Sequence, residues 1–75
     1  MSENRRVQLS ANMMVCSYTV KTLLSKIAAL ELDTKLPVEE KFSQIKKIKE
    51  EITKVGTEID SIKNEIILLN SYNLN

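Results

Sequence analysis

Residues 38–69 carry apolar side chains on two interleaved seven-residue ladders, Val38, Ile45, Ile52, Ile59, Ile66 and Ile48, Val55, Ile62, Leu69. With the first ladder as heptad position a and the second as d, nine of the ten a/d positions are aliphatic. The exception is Lys41 at the first d. A stripe of this period forces a long helix with one side that another helix must cover, the pattern of a coiled-coil seam. The spacing leaves open which helix covers it.

A second stripe, Leu9, Met13, Cys16, Val20, Leu23, Ile27, Leu30, advances in steps of four and three throughout, which also predicts a helix. The β-branched residues between Val15 and Val20 favour a strand locally, but period-two alternation is missing, so helix is preferred. Met14, Val15, Leu24, Ala28 and Ala29 widen the stripe, so this helix should be buried on more than one side. Pro37 disfavours helical geometry at Leu36 and suits the first turn of a new helix, where Glu39 and Glu40 meet the positive end of the macrodipole. The expected fold class is therefore all-α: an antiparallel αα-hairpin with a coiled-coil second helix, assembling into a multi-chain helical bundle. Its expected parts are a flexible arm (residues 1–8), a first helix (about 9–32), a turn (33–36), a second helix (about 37–70) and a tail (71–75). At 1.5 Å per residue the helices would span about 35 Å and about 50 Å. The second would overhang, leaving Ile66, Ile67, Leu68 and Leu69 for another chain to cover.

Composition narrows the chemistry. Seventy-five residues make one small domain, and such domains usually lean on a staple, a metal or oligomerisation. A single cysteine, Cys16, allows no internal disulfide, and a chain without histidine lacks the usual zinc and haem ligands. Oligomerisation is the remaining route. Eleven Lys/Arg against ten Asp/Glu leave no strong net field toward nucleic acid or anionic lipid. The longest apolar runs are four residues, against the roughly 20 of a membrane span, so no transmembrane segment is expected. The lone thiol, and Val7-Gln8-Leu9-Ser10 in place of an apolar run after Arg5 and Arg6, predict an intracellular, cytoplasmic setting.

Other features each have a plain reading beside a functional one. Glu51, Glu58 and Glu65 fall on g and Lys49 and Lys63 on e; a parallel pair would join Glu58 to Lys63, although a solvated face would show similar interspersion. Ile or Val at both a and d favours three or four strands over two. Gly56, mid-helix, costs on the order of 1 kcal/mol relative to alanine and reads as a tolerated weak spot unless another backbone approaches there. Met13, Met14 and Cys16 form a soft apolar patch suited to adaptable binding, though core filling is its commoner use. Cys16 has no neighbour to lower its pKa. Lys46, Lys47 and Lys49 with Arg5 and Arg6 are the best case for nucleic acid, but Glu39, Glu40, Glu50 and Glu51 offset the lysines, and Tyr18, Phe42 and Tyr72 are too scattered to stack bases.

The expected function is a non-catalytic interaction module: a small structural or adaptor subunit of a helical complex. The alternative is a chaperone-type or regulatory binder that covers an amphipathic helix, as a secretion co-chaperone would. No catalytic residue, cofactor or metal is expected. The protein partner, whether a homo- or hetero-oligomer, should meet Ile45, Ile48, Ile52, Val55, Ile59, Ile62, Ile66, Ile67, Leu68 and Leu69, together with Met13, Val20, Leu23 and Ile27.

Overall fold

The computed structural model describes the backbone of residues 2–74 and the side chains of residues 3–71. It is a helical hairpin of α1 (Ser2–Leu32) and α2 (Val38–Leu74). Polar residues inside the helices are reconciled with them by back-bonding: the hydroxyls of Thr19, Ser25, Thr53, Thr57 and Ser71 each donate to the carbonyl four residues earlier.

The turn is built from Asp33. Its backbone N–H donates to the Leu30 carbonyl at 3.2 Å and closes α1. Its Oδ1 accepts the N–H groups of Lys35 and Leu36, at 2.7 and 3.2 Å, the local bonding that lets an aspartate replace a backbone partner in a turn. The Pro37 carbonyl then accepts the Lys41 N–H at 3.0 Å, so Pro37 precedes α2 as its capping residue, one position outside the expected start. Lys41 is only half-buried, and its Nζ donates to the Asp33 carbonyl. The single cation in the apolar ladder thus ties α2 back to the end of α1. Val38, the first a residue, is 80% exposed, because it sits on the opening turn of α2, beside the chain reversal.

The two stripes face each other unevenly. On α1 the d residues Leu9, Cys16 and Leu23 are buried, at 2, 8 and 5% exposure, while Met13, Val20, Ile27 and Leu30 are half-buried. On α2 all eight ladder residues from Ile45 to Leu69 are half-buried. A two-helix layer can bury only the centre of its seam, so each flanking residue keeps one edge in water.

The N-terminus departs from expectation. Residues 2–8 are not an arm but the first two turns of α1, because the three-and-four stripe continues backward from Leu9 onto Arg6, which lies half-buried on it. An arginine there can lay its methylene stem along apolar surface, although its Nε is buried without a hydrogen-bond partner. The extra turns lengthen α1 to 31 residues against 37 in α2, so the overhang shrinks to roughly 9 Å. Ile66 and Leu69 are half-buried rather than bare, and only Ile67 and Leu68 stay open, at 60 and 58%. At the other end α2 runs to Leu74, beyond the expected stop near residue 70.

Gly56 sits mid-helix on the e edge, and a Cβ built on it meets nothing within 4 Å. With no clash to offset the gain in helix propensity, Gly56→Ala should stabilise the hairpin by about 0.5–1 kcal/mol, read as a higher denaturant midpoint with unchanged slope.

Candidate interaction surface

In an antiparallel pair the g positions of the two helices share one edge of the seam and the e positions the other. The structure shows this sorting directly. On the g edge, Arg5 Nε donates to Glu65 Oε2 at 2.5 Å, and Cys16 Sγ donates to Glu58 Oε2 at 3.7 Å. Glu58, which a parallel pair would join to Lys63, here accepts from the chain's own first helix, as does Glu65. The bond from Arg5 lowers the Glu65 pKa and Glu65 raises that of Arg5. A depressed carboxylate contributes stability above its unfolded pKa and loses it as pH falls through the folded value. With side chains 48 and 41% exposed, this pair is worth little and is screened by salt. Burial, then the Glu58 carboxylate, raises the Cys16 thiol pKa, so the thiolate that nucleophilic chemistry needs is disfavoured.

The e edge is different. Ser10, Ser17 and Leu24 of α1 line an open apolar groove of about 600 Å³ with Met13, Met14 and Val20. Tyr18 and Lys21 rim it, and Ile66 crosses from α2. Near the turn, Phe42, Ile45, Lys46 and Lys49 line a smaller depression on the same e edge of α2. The serines and Gly56 keep this edge low, which is why the a residues beside it are visible from outside. Met14 and Phe42 are each 73% exposed and Leu24 is 53%.

The residues expected to meet a partner therefore divide. Leu23 is spent between the two helices, and Ile48, Val55, Ile62 and Leu69 lie along the intrachain seam as half-buried d residues. Met13, Val20, Ile27, Ile45, Ile52, Ile59 and Ile66 sit beside the open edge, half-buried, while Ile67 and Leu68 project outward. Among the described residues, eight exposed large apolar residues fall outside that expected set, Val7, Met14, Val15, Tyr18, Leu24, Leu32, Val38 and Phe42, of which Met14, Tyr18, Leu24 and Phe42 line the e-edge depressions. The widened α1 stripe signalled Met14 and Leu24; Phe42 is an isolated aromatic with no periodic signal.

Among the described residues no group of three Cys, Asp or Glu side chains is placed to hold a metal ion. Length and average composition also make Glu3–Leu32 long and apolar enough to cross a bilayer. Uninterrupted apolar runs in this stretch are short, because Ser, Thr, Lys21 and Lys26 break them without lowering the average far. A mostly buried core helix of a soluble protein and a signal sequence near the N-terminus meet the same criterion, and here 11% of the apolar window is buried. No family model matches the chain, and no curated protein or solved structure matches it significantly.

Proposed function

We propose that this chain is a non-catalytic protein–protein interaction module, a small structural or adaptor subunit whose heptad seam joins a larger helical bundle. One observation carries this reading: among the described residues three apolar side chains are buried, while ten large ones are more than half exposed. Scattered exposed apolar residues are ordinary on a monomer, but here Met14, Leu24 and Phe42 border half-buried seam residues along one edge, and contiguous patches of that kind mark interaction sites. The methionine-lined groove also suits a releasable, chaperone-type binder, since thioether side chains adapt to varied surfaces.

Purification of the chain from its native source, followed by mass measurement of the intact complex, tests this. A subunit stays in a complex of defined mass through dilution, and a releasable binder exchanges out of it. A chain recovered alone, or only with membranes, overturns both.

A further inference from the structure

We infer that the e edge of the hairpin is covered by a second copy of this chain, face to face, in a four-helix dimer. This deepens the proposed module by naming the first occupant of its open groove.

The area sets the scale. A compact monomer of 8.6 kDa exposes about 4,700 Å², whereas the hairpin exposes 6144 Å². It hides only about half of the surface of its unfolded chain, where even a 60-residue domain hides about 60%. The shape agrees: the Cα radius of gyration is 17.2 Å against about 11 Å for a compact chain of this length. The excess is about 1,450 Å² per chain. If two chains each hide it, the interface totals roughly 2,900 Å², within the range of obligate homodimers and well above a standard transient contact.

The layer to be added must match in form. The Cα atoms of the hairpin span 58 × 15 × 13 Å, an elongated rod of two helices. A single foreign helix would cover one groove and leave half the face wet, while a second hairpin stacked about 10 Å away covers its full length and width. The half-buried a residues of both helices, Met13, Val20, Ile52, Ile59 and Ile66 among them, would then become the central layer. Isoleucine on both ladders already favours more than two strands.

Charge does not select a different partner. The e and b positions that form this face hold Lys21, Lys46, Lys49 and Lys63 against Glu3, Glu31, Glu39 and Asp60, four of each sign. A face without net charge can meet itself across a two-fold axis, as an isologous interface requires.

Sedimentation equilibrium of the full chain at micromolar concentration should give twice the 8.6 kDa monomer mass. Met14→Lys and Leu24→Lys change side chains already exposed in the hairpin, so the fold of each chain is spared, and the dimer, which would have to bury an unpaired ammonium, should weaken by about 100-fold. Val15→Lys, on the g side, should leave the mass unchanged. A helical wild-type monomer, a larger assembly, or a dimer lost by Val15→Lys and kept by Met14→Lys overturns the inference. If the wild type is monomeric but sits once in a native complex that Leu24→Lys disrupts, the second copy fails and the module stands. If the groove variants alter neither mass nor complex, both fail.

Discussion

Leu9→Ala should lower the stability of the hairpin by about 2–3 kcal/mol, toward the low end of the range for truncating a buried leucine because a single layer can partly collapse around the gap. Leu9 is the most buried of the core side chains, at 2% exposure. Its loss leaves the first two turns of α1 held mainly by the exposed Arg5–Glu65 pair, which cannot replace the burial. Beyond the lower denaturant midpoint, amide exchange should therefore quicken across the first two turns of α1 before it does around Leu23, since opening proceeds from the least supported end. Leu9 is the first apolar residue of the three-and-four stripe. A change below about 0.5 kcal/mol, the size of an ordinary surface substitution, would show that the N-terminal turns do not dock on α2.

Ile59→Asp should be more damaging. Ile59 is half-buried on the α2 seam, and an unpaired carboxylate there costs several kcal/mol or stays protonated. The direction with pH follows: the folded-state pKa of the new carboxyl is raised, so its destabilising effect is full above that pKa and is relieved as pH falls below it. Circular dichroism should show helicity lost at pH 7 and partly regained at about pH 4, with sedimentation reporting dissociation in parallel. Ser61→Asp, at an exposed position two residues away, should leave both unchanged. Unaltered helicity and mass in Ile59→Asp would refute the seam, and with it the proposed module.

How far the sequence could be read depended on how local the cause was. The three-and-four spacing of Leu9 to Leu30 and the twin ladders of α2 required two helices, since only a helix brings those residues to one side. Pro37 and the residues around Asp33 required the break between them. The extent of α1 was another matter. Residues 2–8 are polar except for Val7 and nearly aperiodic, so nothing local demands a helix there; Arg6 and Leu9 gain it only by lying against α2, an energy invisible in the segment itself. Once α1 lengthened, Ile66 and Leu69 were covered from within and the predicted bare end contracted to Ile67 and Leu68. The open surface likewise moved from the end of α2 to the e edge, where Ser10, Ser17 and Gly56 leave Met14, Leu24 and Phe42 standing proud. Periodicity determined which side of each helix seeks cover. Only the antiparallel docking of one helix on the other decided how much of that cover the chain provides for itself, because burial depends on what lies opposite, and a sequence pattern records only its own face.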